Sequence, residues 1–116
     1  MKTAELTVGE RDTDKGPVIH VVGELDLTTV GQLRDTLLSQ VNQQKADRVV
    51  VDLTEVEFID SAGLALLVEA RKRLASESRT LYLIITQGKQ PERVLRLVRF
   101  DTIMKLVYSP DDIPAI

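Results

Sequence analysis

The run Val49-Val50-Val51-Asp52-Leu53 constrains this chain more than any other segment. It is apolar almost without interruption and rich in β-branched residues, the pattern of a strand covered on both faces. Helical periodicities flank it. Val30, Leu33, Leu37 and Val41 recur at helical spacing before it and predict an amphipathic helix over 29–44. Residues 61–76 predict a second helix, apolar early (Leu64, Leu67, Val68) and charged later (Glu69, Arg71, Lys72, Arg73). A buried strand joined to its neighbours through helices belongs to a sheet with parallel pairs and right-handed crossovers.

The remaining segments extend this α/β pattern. Leu6 and Val8 alternate within 3–9, as in a half-buried strand. A charged turn region over 11–17 follows, punctuated by Gly16-Pro17. Val18-Ile19-His20-Val21-Val22 reads as a second strand, so the chain should open with an antiparallel hairpin. Asp26, Thr28 and Thr29 are all candidate N-caps of the first helix, and Thr29 with Gln32 fits a capping box. Residues 81–85 read as another buried strand. Residues 91–99 read as a third helix, with Pro91 in its first turn and Glu92 favourable to its dipole. A short last strand over 106–108 ends near Pro110. The expected fold is a small mixed β-sheet packed with helices in one domain, 1–116.

Composition excludes several functions. With 3% aromatic residues and no Trp there is no base-stacking surface for single-stranded nucleic acid. A net charge of -3 gives no chain-wide attraction to phosphate backbones or anionic lipid, so neither nucleic acid nor membrane is an expected partner. The absence of Cys removes disulfides, thiolate catalysis and thiolate metal sites. The first eleven residues carry Lys2, Glu5, Glu10 and Arg11 without an apolar segment, unlike a secretory signal. No apolar run approaches the roughly 20 residues that span a bilayer. A cytoplasmic location is expected.

Sites in open α/β sheets lie beyond the carboxyl ends of the strands. Here that edge comprises the loops 23–29 and 54–62. In the second, Val56, Phe58 and Ile59 should anchor the chain to the core and leave Asp60 and Ser61 at the mouth of a helix. Ser61 suits an N-cap, its hydroxyl accepting a first-turn N–H; capping alone would explain it. A phosphate there would instead meet free N–H groups and the positive end of the helix dipole. It would add about -1.5 to -2 charge without unfolding the domain. A partner packed over the helix tip would bear the penalty. A thousandfold loss of affinity needs about 4 kcal/mol, within reach of a dianion forced into a dry interface. Asp60 would add to the repulsion. Gly63 leaves a place where a partner backbone could approach.

Enzymatic readings find less support. Ile59-Asp60-Ser61-Ala62-Gly63 is half of a nucleophile elbow, with Ile where the first Gly belongs. His20, the single His, falls mid-strand as an exposed or half-exposed residue, not as a base for Ser61. One His without Cys makes a poor zinc site, and no phosphate-binding glycine motif is present. Neither catalytic residues nor cofactors are expected. Asp52 sits where a response regulator carries its phospho-acceptor, but the paired acids that hold magnesium after that family's first strand are missing; it reads as a strand-end residue bonded to nearby backbone. Asp111-Asp112 reads as a solvated terminal pair.

Val50-Val51-Asp52-Leu53 through Phe58-Ile59-Asp60-Ser61-Ala62-Gly63-Leu64 resembles the signature of the STAS domain (sulphate transporter and anti-sigma factor antagonist). Gly23-Glu24-Leu25-Asp26 is similar to that family's other recurrent loop. Val94-Leu95, Phe100-Asp101, Ile103 and Leu106 are similar to its last helix and edge strand. The resemblance implies a bacterial anti-sigma factor antagonist that works by partner switching in transcription regulation and stress response. By it, Ser61 is phosphorylated by a partner that is both anti-sigma factor and GHKL-type serine kinase. The unmodified form binds that partner and frees the sigma factor, the phosphorylated form lets go, and a serine phosphatase restores it. Asp26, Thr28, Asp60, Ser61, Ala62, Gly63 and Leu64 are then the expected partner-binding set. Many relatives carry a second hydroxyl residue where this chain has Ala62. The family also supplies scaffolds of stress-sensing complexes and accessory subunits of lipid-transport ATPases, a second reading.

Overall fold

The computed structural model describes residues 4–43 and 46–116. The chain opens with an antiparallel hairpin, β1 (Leu6–Thr13) and β2 (Gly16–Leu25). Its turn is only Asp14-Lys15, so the charged stretch before it belongs to a strand. The Thr13 hydroxyl donates to Gly16 O at 2.9 Å and accepts from Lys15 N at 3.0 Å. Gly16 has φ +99°, a conformation that favours glycine.

Helix α1 (Val30–Gln43) leads to β3 (Arg48–Ile59), and β3 to α2 (Ser61–Ala75). Then come β4 (Thr80–Ile84), α3 (Gln90–Leu97) and β5 (Lys105–Val107). The expected end of the first helix at Gln44 lies outside the described residues, as does Thr3 of the first strand. Strand order is β1-β2-β3-β4-β5, with every pair after the hairpin parallel. Val49, Val50, Val51 and Leu53 are at most 1% exposed, as expected of a strand covered on both faces. The cover differs from face to face. Ile19, Val21, Val49, Val51, Leu81 and Leu83 pack with Leu33 and Leu37 of α1, Leu67 and Leu74 of α2, and Leu95 of α3. On the other face Val18, Val50 and Ile84 pack against Ile113 of the C-terminal segment.

Three expectations change. The segment expected as a loop from Thr54 is strand up to Ile59. It pairs with β2 through register shifts at His20/Val22 and Gly23/Glu24. Such irregularities bend a strand and hide its alternation. Phe58 is 43% exposed and does not anchor the core; Val56 and Ile59 do. The capping box of Thr29 and Gln32 is also absent. The Thr29 hydroxyl turns back to donate to Glu24 O at 2.8 Å. Gly23 has φ +120°, and a Cβ there would lie 2.2 Å from Glu5 O, so the close approach of the residue before β1 admits only glycine.

Candidate functional site

The carboxyl ends of β2 and β3 lie side by side, with Leu25 opposite Ile59. Asp60 N donates to Leu25 O at 3.1 Å, and both strands then turn into helices. Gln90 fixes the end of β3: Ile59 N donates to its Oε1 at 2.9 Å, and its Nε2 donates to Ile59 O at 3.0 Å. The first residue of α3 therefore braces the loop that delivers Asp60. No local sequence pattern reveals this bridge.

Asp60, not Ser61, is the N-cap of α2. Its backbone is extended (φ -103°, ψ -172°), and Oδ1 accepts from Ala62 N at 2.9 Å and Gly63 N at 3.2 Å. Both residue types cap well; the extended backbone decides for Asp60. Its other oxygen, Oδ2, accepts from Leu27 N at 3.1 Å. One carboxylate thus caps the second helix and clasps the loop that precedes the first.

Ser61 is the first residue of α2 and is exposed. Among the described residues its hydroxyl has no hydrogen-bond partner. The donors a free helix end would offer at Ala62 and Gly63 are held by Asp60, which leaves the Ser61 oxygen in solvent beside a carboxylate.

The facing loop is held by Asp26. Its Oδ1 accepts from Thr28 N at 2.9 Å, the Thr28 hydroxyl at 2.7 Å and Thr29 N at 3.2 Å. The Thr28 hydroxyl bond, opposed by partial desolvation and aided by the backbone bonds, holds the Asp26 carboxyl below its ordinary range. The structure thus brings Asp26 and Thr28 of one loop beside Asp60, Ser61 and Ala62 at the start of α2, at one end of the sheet.

Gly63 and Leu64 sit differently. Gly63 is buried and faces inward: a Cβ there would come within 2.8 Å of Leu25 Cγ and 2.9 Å of Ile59 Cγ2. It brings α2 against the strand ends and offers no room to a partner backbone. Leu64 is half-buried against the core. Leu27, 77% exposed between Asp26 and Thr28, was missed by sequence reasoning, as was the exposure of Phe58. An apolar residue inside a polar capping loop was the available signal. The tip is thus acidic with apolar points. Its Glu57 is paired to Lys89 at 2.8 Å.

His20 lies on the sheet face away from the helices' core, with Nδ1 3.1 Å from Asp52 Oδ2 and Nε2 3.7 Å from Glu55 Oε2. Asp52 Oδ1 accepts from Thr54 N and its hydroxyl, the nearby-backbone bonding expected of it. Asp111 and Asp112 are exposed in a 3-10 turn.

The chain is similar to the anti-sigma-F factor antagonist RsfB of Mycobacterium tuberculosis, at 26% identity over 92% of this chain and 85% of that protein. It is 39% identical to an anti-sigma-B factor antagonist of Listeria monocytogenes over 67% of each chain. The crystal structure of an anti-sigma factor antagonist from Mycobacterium paratuberculosis superposes with a TM-score of 0.83 at 27% identity, covering 93% of this chain and 90% of that one. The family model described as "Mlab, STAS domain" matches residues 8–108. This chain, with its five-stranded mixed sheet and its helix tip at Ser61, belongs to the STAS domain family.

Proposed function

We propose that the chain is an anti-sigma factor antagonist whose partner-binding tip is switched by phosphorylation of Ser61, with 1–116 acting as one STAS unit. The observation that carries this reading is the exposed, unbonded Ser61 hydroxyl beside the Asp60 carboxylate. The antagonists it resembles add support. In this reading Asp26, Thr28, Asp60, Ser61, Ala62 and Leu64, with Leu27, meet an anti-sigma factor. That partner is also the GHKL-type kinase, and a phosphatase reverses the modification. The buried Gly63 contributes by seating α2.

A phosphoryl group on Ser61 adds about -1.5 to -2 charge at pH 7. Asp60 already holds the Ala62 and Gly63 donors, so the new anion competes with a carboxylate and stays toward solvent. The host loses no buried contact. A docked partner would have to desolvate the phosphate beside Asp60 and Asp26, and binding fails on that cost. The reading is of a binding module in the bacterial cytoplasm, without catalysis. Among the described residues, no helix is long and apolar enough to cross a membrane.

Incubation with the cognate anti-sigma kinase and ATP should phosphorylate Ser61 alone, and Ser61→Ala should take up no phosphate. Equal uptake by both proteins refutes the assignment. Ser61→Asp should bind the kinase at least tenfold more weakly than Ser61→Ala; equal affinities refute the charge mechanism. Affinity capture that yields a transport ATPase in place of a kinase would support the accessory-subunit reading instead.

A further inference from the structure

Charge is unevenly divided along the chain. Residues 69–105 hold nine of the fifteen Lys and Arg but only four of the eighteen Asp and Glu. Three cations of this portion, Arg71 of α2, Arg79 just before β4 and Lys105 at the start of β5, frame a cavity of about 250 Å³ also lined by Thr80, Thr102 and Ile103 among others. The cavity lies between the end of α2, the first residues of β4 and the approach to β5. The strands begin at this end, whereas Ser61 stands where β3 has finished.

The cations at this cavity are incompletely used. Arg79 is 8% exposed in its side chain. Its Nε donates to Ala46 O at 2.8 Å, and its Nη1 donates to Val41 O at 2.6 Å and to Glu77 Oε1 at 3.3 Å. Its Nη2 is buried with no hydrogen-bond partner. An unpaired buried N–H is unfavourable and rare; because this one is sealed from solvent, Arg79 acts on the cavity through its charge and not through that donor. Arg71 spends Nε on Ile103 O at 3.0 Å, and Lys105 makes no ion pair or side-chain hydrogen bond among the described residues. The carbonyls that end α2 do not consume these cations. Lys72 O accepts from Ser76 N, Leu74 O from Glu77 N and Arg79 N, and Ala75 O from Ser78 N. Asp101, the single carboxylate lining the cavity, has Arg96 at 3.7 Å.

We infer that this cavity is a binding site for a compact phosphate dianion, either free phosphate or the phosphate of a small ester, held by Arg71 and Lys105 with the charge of buried Arg79 behind them. Planar guanidinium groups suit phosphate oxygens, and a partly enclosed site strengthens the attraction over that of surface lysines. The volume is at the small end for ligand sites, so it takes a headgroup-sized molecule and no extended chain. This site is separate from the Ser61 tip and does not depend on the function proposed for it.

The test is titration of the ¹⁵N-labelled chain with inorganic phosphate and, in a second arm, O-phosphoserine, each at constant ionic strength with NaCl as control. Saturable shifts are expected at the amides of Arg71, Ala75, Thr80 and 102–105, and at the Arg79 Nε–H. In Arg71→Gln/Lys105→Gln the apparent Kd should rise at least tenfold, with the thermal midpoint unchanged. Lys105→Gln alone, at an exposed position, should raise it about threefold and serves if the double variant does not fold. Tighter binding of phosphoserine identifies an ester as the ligand, and the reverse identifies free phosphate. Shifts that do not saturate, that NaCl reproduces, or that keep their Kd in both variants overturn the site.

Discussion

Asp60 and Gly63 show how much of the tip rests on single atoms. The Asp60 carboxylate satisfies two first-turn donors of α2 with one oxygen and Leu27 N with the other. Asp60→Ala should therefore lower stability by about 1 kcal/mol through the lost cap. It should also raise amide exchange at Leu27, 33 positions away in sequence. Denaturant unfolding and hydrogen exchange check the two effects separately, and unchanged exchange at Leu27 would contradict the clasp. Gly63→Ala places a methyl group within 2.9 Å of Leu25 and Ile59. Overpacking of this kind costs about 1–3 kcal/mol. A urea midpoint equal to wild type would mean that α2 slides freely on the strand ends. Which residue caps α2 could not be read locally, because Asp60 and Ser61 are adjacent and both suit the position. The extended backbone of Asp60 and the donor at Leu27 decide it.

The elements were legible to within a few residues, with the exceptions where two strands influence one another. The register shifts between β2 and β3 turn an expected loop into strand and swing Phe58 outward. Element ends are also tied by polar groups. Glu92 of α3 accepts from Gly88 N at 2.8 Å and bonds the Tyr108 hydroxyl just past β5, with Arg96 close by. The Gly88 N–H first, then Tyr108, hold its carboxyl below the ordinary glutamate range despite partial desolvation. The folded state thus binds the Glu92 proton less readily than the unfolded chain. The resulting stabilisation is present above the ordinary value of about 4.3 and is lost as pH falls through the lower folded value. Asp26 and Glu69, held down by the Thr28 hydroxyl and by Arg34 respectively, act in the same direction. The urea midpoint should fall between pH 6 and pH 3, and Glu92→Gln should flatten that dependence. A slope unchanged in the variant would exclude Glu92 as a contributor.

Over the whole molecule, the Ser61 side chain stands apart from the core, although the helix that carries it is packed on that core. The helices, the sheet face beneath them and the Ile113 cover on the reverse form the packed mass. Ser61 stands outside it with no bonded hydroxyl partner among the described residues. Ser61→Asp should therefore leave the circular dichroism spectrum and thermal midpoint as in wild type. An acidic residue in the first turn is favourable to the helix dipole, which offsets repulsion from Asp60. A broad loss of structure in that variant would show that the switch acts by unfolding and not at the partner's surface.

The sequence by itself determined the order of elements, the doubly covered central strand and the place where a serine begins a helix, because hydrophobic period and turn chemistry act over a few residues. Tertiary structure alone decided that Asp60 caps, that Gly63 faces Leu25, that Gln90 braces Ile59 and that Arg79 is buried against the carbonyls of Val41 and Ala46. Those facts join residues that the chain separates widely, and only the packing of helices on a twisted, bulged sheet settles which of their atoms meet.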